Sequence, residues 1–207
     1  MIKPLLSVLL LCMSTCAAAT TITIKNANNQ PLANAVVWLS GASIQAGNQE
    51  SKTYAMSQQN REFTPRTLVV PQNAKVEFPN ADSIMHHVYS FSKAKTFELK
   101  LYKEQPKAPI TFDKTGVVEL GCNIHDWMLG YLVVVDSTVF AITDDNGRVN
   151  LTAPNGQYSM SVWHSGFSDI SNVEIHSVNV SDSPIHYTVK QAIAEQIDFA
   201  TDEFDDY

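Results

Sequence analysis

Apolar and β-branched positions alternate with polar ones along most of this chain, at the period of two that a half-buried strand requires. Thr21-Ile22-Thr23-Ile24-Lys25 opens the pattern, and Asn26 to Pro31 is a turn before the strand Ala35-Val36-Val37-Trp38-Leu39. Ser40 to Asn48 is small and polar and reads as a loop. Further strands are predicted at Tyr54–Gln58, Thr67–Val70, Lys75–Phe78, His87–Phe91, Ile110–Phe112 and Val117–Leu120, with Arg61–Pro65 as a turn and Phe97–Tyr102 as irregular chain. Tyr131-Leu132-Val133-Val134-Val135 is a nearly continuous apolar run, the mark of a strand covered on both faces. Phe140–Thr143 and Arg148–Leu151 flank Asp144-Asp145-Asn146-Gly147, a hairpin turn, and Ser159–His164 follows a second turn at Pro154–Tyr158. Helical periodicity is confined to Gln191–Ile197, where a short helix is expected before an acidic tail that runs to Tyr207. Strands at this spacing predict an all-β sandwich or barrel.

The first residues change the picture. Lys3, the apolar run Leu5–Leu11 broken only by Ser7, and Ala17-Ala18-Ala19 have the layout of an export leader with a small-residue cleavage site. The apolar part is shorter than the ~20 residues a membrane helix needs. We therefore expect residues 1–19 to be removed and residues 20–207 to form a periplasmic protein without a transmembrane segment. The chain carries 21 acidic and 14 basic residues, a net charge of −7. That balance argues against nucleic acid as a partner. Cys12 and Cys16 lie in the leader, so Cys122 stands alone in the remainder and a disulfide scaffold is excluded.

Around Cys122 the pattern turns from architecture to chemistry. The stretch Gly121-Cys122-Asn123-Ile124-His125-Asp126-Trp127-Met128-Leu129-Gly130-Tyr131 sets a thiol, an imidazole and a thioether three residues apart between two predicted strands. One short loop can wrap these around a single ion. Thiolate, imidazole and thioether suit a soft or borderline metal, and a trigonal Cys plus two His with a distant Met is a blue-copper ligand set. The second histidine must come from elsewhere, and His86 or His87 at the head of a strand are the candidates. Strand alternation sends those two side chains to opposite faces. Asn123 and Asp126 are expected to brace the loop by side-chain hydrogen bonds to backbone. His164, His176 and His186 are scattered and read as surface or satisfied histidines.

Cys-x-x-His-x-x-Met after an apolar strand and before Gly-Tyr-hydrophobic-Val-Val resembles the cupredoxins, with the loop length of amicyanin. Phe63-Thr64-Pro65, Leu68-Val69-Val70, Val76-Glu77-Phe78 and Asn80 are similar to the run before the first ligand in that family. Phe78–Asp82, His86–Phe91 and Gly121–Met128 together resemble the cupredoxin-like proteins labelled methylamine-utilisation proteins. The resemblance implies that His86-His87-Val88 occupies the place of His-Asn-hydrophobic. His86, Cys122, His125 and Met128 would then be the ligands of one type 1 copper, and His87 a neighbour or alternative ligand. It also implies an apolar collar of Trp127, Ile84 and Leu129 around the exposed edge of His125, where electrons leave. Beyond residue 136, Thr143-Asp144 with Gly147, then Pro154-Asn155-Gly156-Gln157-Tyr158, resembles the transthyretin-like or carboxypeptidase-regulatory-like sandwich, whose opening strands match Thr21–Leu39.

The implied architecture is a cupredoxin-like Greek-key β-sandwich over residues 51–135 plus a smaller transthyretin-like β-sandwich over 136–190, to which residues 20–50 contribute the first strands. The alternative assigns the first strands to the copper unit's own sheet. The implied function is periplasmic electron transfer with redox proteins as partners, not enzymatic catalysis. Copper delivery or sequestration uses the same ligands, and an interaction protein with a vestigial site is the third reading. A dinuclear copper centre needs two cysteines, and a copper oxidase or nitrite reductase needs further histidine clusters. No Ser/His/Asp arrangement or phosphate loop stands out.

Overall fold

The computed structural model describes residues 17–44, 52–104, 106 and 108–194; the leader up to residue 16 and the acidic tail lie outside them. Every regular element is a strand: β1 Ala17–Lys25, β2 Val36–Ser40, β3 Thr53–Ala55, β4 Ser57–Gln59, β5 Glu62–Thr64, β6 Thr67–Pro71, β7 Ala74–Glu77, β8 His86–Ser92, β9 Lys95–Tyr102, β10 Ile110–Phe112, β11 Gly116–Gly121, β12 Leu129–Val135, β13 Phe140–Ile142, β14 Arg148–Pro154, β15 Gly156–Trp163, β16 Glu174–Val180 and β17 Ile185–Thr188. The all-β sandwich expected from the alternating pattern is the fold observed.

Four of the five sheets separate into two pairs, and the fifth is the β4-β5 hairpin. A five-stranded mixed sheet, β6-β12-β11-β8-β9, accompanies the three-stranded sheet β10-β7-β3. Their shared core holds Met56, Phe63, Phe78, Val88, Phe112, Leu120 and Leu132, together with Cys122 and Met128. Each such large apolar side chain contributes about 1.5–3 kcal/mol when withdrawn from water. The second pair consists of β14-β1-β17 and β13-β2-β15-β16. Here β1 lies antiparallel to β14 and parallel to β17, while β2 lies between β13 and β15. The chain's opening strands therefore hydrogen-bond to strands more than a hundred residues later.

β12 joins the two halves. Its apolar run is buried along nearly its whole length because each face meets a different core. Leu132 and Val134 enter the core around Phe78. Tyr131, Val133 and Val135 enter the other, where the Tyr131 and Trp163 rings lie 5.3 Å apart.

Four local expectations need correction. Arg61–Pro65 is not a turn throughout: Glu62–Thr64 is β5, paired antiparallel with β4, and its Phe63 is buried in the core. Phe97–Tyr102 is not irregular: it lies in β9, the edge strand paired antiparallel with β8. Phe97, Leu99 and Tyr102 are the side chains of this stretch that pack on the core, and Glu98 and Lys100 face outward. The predicted strand Tyr54–Gln58 is two strands in different sheets, divided at Met56, whose side chain is fully buried. Of the expected helix Gln191–Ile197, the described part is extended chain. Ile193 bridges to Phe167, and Ala194 N–H donates to Gly166 O at 2.7 Å. The apolar Ile193 gains more by packing on the core beside Phe167 than a four-residue helix start gains from one turn. The rest of that segment lies outside the described residues. Ala17–Ala19, placed by the sequence at the leader's cleavage site, extend β1 and pair with Thr152–Pro154.

Candidate metal centre

The loop from Cys122 to Met128 is built from two consecutive tight turns, at Asn123–Ile124 and at Asp126–Trp127. Each turn brings the chain back after three residues. Cys122 and Met128 are buried and His125 is partly buried, while the four turn residues are exposed. The spacing Cys-x-x-His-x-x-Met is thus the period of this double turn. Met128 N–H closes the second turn on His125 O at 2.9 Å.

Both ends of the loop are pinned by rings. A Cβ on Gly121 would lie 2.6 Å from the Tyr89 ring, and one on Gly130 would lie 2.8 Å from Phe63 Cβ. Only glycine lets β8 and β5 press this closely on the strands that enter and leave the loop.

His86 begins β8 and is fully buried. Its Nδ1 lies 3.9 Å from Cys122 Sγ, and His125 Nδ1 lies 3.8 Å from the same sulfur. Among the described residues, His86, Cys122 and His125 form a group whose ligand atoms all lie within 4.8 Å of one another. The imidazole rings are 5.0 Å apart. A metal bonded at about 2.3 Å to sulfur and about 2.0 Å to nitrogen, with angles near 120°, holds sulfur and nitrogen about 3.7 Å apart. The group therefore has the spacing of a trigonal thiolate–imidazole site and the donor chemistry of copper. Met128 shares the buried cluster of Cys122.

The far nitrogen of His86, Nε2, lies 2.7 Å from Asp82 Oδ2. A carboxylate in this position orients a ligating imidazole. Burial pushes the Asp82 pKa up. The Arg61 amide, His86 and the Asn60 amide together outweigh it, and the carboxyl lies below its ordinary value. Burial lowers the pKa of His125, with His86 and Arg61 adding to the effect against the opposing charge of Asp82. His125 is thereby kept in the neutral form that a metal requires.

The other expected site residues are placed as follows. His87 is buried away from this group, with Nε2 2.9 Å from Glu98 Oε1 and its ring 5.6 Å from that of Tyr89. Its Nδ1 is buried without a hydrogen-bond partner. Asn123 and Asp126 are exposed at the rim, and neither side chain makes a hydrogen bond among the described residues. The loop is braced by its backbone turn instead. Trp127 lies against His125 with ring centres 5.4 Å apart, and it is exposed, as is Ile84. Ile124, next to His125 in the chain, and Met85, next to His86, are also exposed. Leu129 belongs elsewhere, packed against the core around Trp163. Asp82 is the site residue the sequence pattern missed, and its only local signal was its place four residues before His86.

No family model matches the sequence, and no curated protein matches it. Among solved structures, a copper-containing nitrite reductase from Thermus scotoductus SA-01 is similar over 41% of this chain at 23% identity, with a TM-score of 0.38. The chain spans 22% of that enzyme. A purple cupredoxin from Nitrosopumilus maritimus is similar over 40% of this chain and 99% of its own, at 20% identity and a TM-score of 0.35. A reduced Cu(I) form of an amicyanin variant is similar over 48% of this chain and 98% of its own, at 19% identity and a TM-score of 0.38.

Proposed function

We propose that this protein is an exported, periplasmic carrier of single electrons that holds one type 1 copper between His86, Cys122 and His125, with Met128 as the distant axial ligand. One observation supports this reading above the others: the Cys122 thiol lies 3.9 and 3.8 Å from the Nδ1 atoms of His86 and His125.

Copper, when bound, supplies a one-electron couple. The chain does the rest. Cys122 must lose its proton to bind, so loading releases a proton and weakens in acid. His86 approaches from a sheet, and His125 and Met128 approach from a loop whose ends are pinned by Tyr89 and Phe63. Ligands held this rigidly change position little between oxidation states, which suits electron transfer more than delivery of the metal to another protein. Trp127, exposed and lying against the His125 ring, gives this edge an apolar rim on which a redox partner protein can dock. We read the protein as a carrier and not as an enzyme.

The test is to titrate metal-free protein with Cu(II). An intense visible thiolate-to-copper band, a narrow paramagnetic hyperfine pattern and reversible reduction are expected at one copper per chain. A colourless complex, or zinc bound as tightly as copper with no such band, would overturn the reading.

A further inference from the structure

Three hydrogen-bond donors converge on the carboxylate of Asp82. Asn60 N–H reaches Oδ1 at 2.7 Å, Arg61 N–H reaches Oδ2 at 2.9 Å, and His86 Nε2 lies 2.7 Å from Oδ2. The first two come from the two-residue turn between β4 and β5, where Asn60 and Arg61 both have positive φ, 56° and 60°. Two successive left-handed residues make the hairpin turn that matches strand twist. That conformation is costly for arginine, and here it aims consecutive amides at one anion. Asp82 is fixed on its own side as well: its N–H donates to Asn80 Oδ1 at 2.9 Å, and Asn80 Nδ2 donates to Ile84 O at 2.8 Å. The side chain is 14% exposed and that of His86 is fully buried.

An ionised carboxylate carries no hydrogen and can only accept. The ring nitrogen facing it must therefore be the protonated one. When the ring carries a single proton, its Nδ1 is bare and faces the Cys122 sulfur. We propose that Asp82 is the positioning residue of the metal centre: clamped by the 60–61 turn, it locks His86 in the Nε2–H tautomer and aims the Nδ1 lone pair at Cys122 before any metal arrives. The use of that lone pair rests on the copper reading; the locked tautomer does not. The negative charge behind His86 also favours the more highly charged oxidation state, so its loss raises the reduction potential.

Nitrogen-15 NMR of the metal-free, full-length protein tests the first half directly. His86 should give the pattern of a protonated Nε2 and a bare Nδ1. In Asp82→Asn, an NH2 group must face either the Asn60 amide or the Arg61 and His86 pair, so one set of donors loses its acceptor. The single tautomer should give way to a mixture, Cu(II) affinity should fall ~10–100-fold, and the potential should move upward. Asp82→Glu, which restores the charge, should recover part of both. A protonated Nδ1 in the wild type would sink the proposal whether or not the variants fold. So would Asp82→Asn and Asp82→Ala proteins with tautomer, affinity and potential unchanged. A wild type with the expected tautomer that binds no copper would instead remove the copper reading and leave the orientation by Asp82 standing.

Discussion

His86 and His164, a buried histidine from each half of the molecule, are satisfied in opposite ways. His164, beside Phe167 in the core around Trp163, accepts a hydrogen bond from Gly166 N–H on Nδ1 at 2.9 Å and donates from its other nitrogen to the Ala33 backbone. Both ring nitrogens end on main chain, so the imidazole is a neutral strut. His86 gives one nitrogen to a carboxylate and turns the other to a thiol. The two imidazoles differ in what stands behind them and in what is left facing the other nitrogen. Burial alone does not distinguish the two.

The largest effect that would break this contrast is on the metal. Cys122→Ala should abolish the visible band and stoichiometric copper retention after dialysis, and His164→Ala should leave both intact. A band surviving Cys122→Ala would place the metal elsewhere.

Next comes stability. His164→Ala leaves the buried Gly166 N–H without its partner, so denaturant unfolding should show a loss of about 1–3 kcal/mol with an unchanged copper spectrum. A copper spectrum that moves with it would mean the two halves are coupled by more than β12.

A smaller effect follows from pH. Burial depresses the pKa of His164 against the weaker opposing effect of its Ala33 hydrogen bond, and burial likewise depresses that of His125. The unfolded chain then binds protons that the folded one refuses. The stabilisation is complete above the unfolded value of about 6.5 and is lost as pH falls from there through the depressed folded values. Melting of the metal-free protein should therefore weaken between neutral and mildly acid pH, and His164→Gln should flatten part of that slope. A melting temperature rising over the same interval would contradict the assignment.

The smallest change expected is at His87. It neighbours His86 in the chain yet sits on Glu98, so His87→Ala should cost on the order of 1 kcal/mol and leave the copper band where it was. A bleached or shifted band would give His87 the role assigned to His86.

The loop motif was legible because two tight turns have a fixed length, and that length is written directly into the spacing of Cys122, His125 and Met128. β12 was legible for a related reason: a run from Tyr131 to Val135 with no polar break has to be covered twice. Asp82 was not legible as a site residue. Its partners are the amides of Asn60 and Arg61, over twenty positions upstream, and backbone amides leave no trace in side-chain chemistry. β9 was misread even though Phe97, Leu99 and Leu101 alternate with Thr96, Glu98 and Lys100, because the charged residues weighed more than the period. Gln191–Ala194 failed in the other direction: a local helical pattern lost to a bridge with Phe167, which no local window contains. β16 and β17 were not picked out at all, since half of their positions are polar and their partners, β15 and β1, are distant in the chain.

The strand that leaves the ligand loop is the party wall of the molecule, with Leu132 and Val134 on one side and Tyr131, Val133 and Val135 on the other. Any displacement of the 122–128 loop is therefore felt in both compartments at once. The far half serves as ballast: the loop is anchored to a second core, and loosening that core would be felt first as a softer loop.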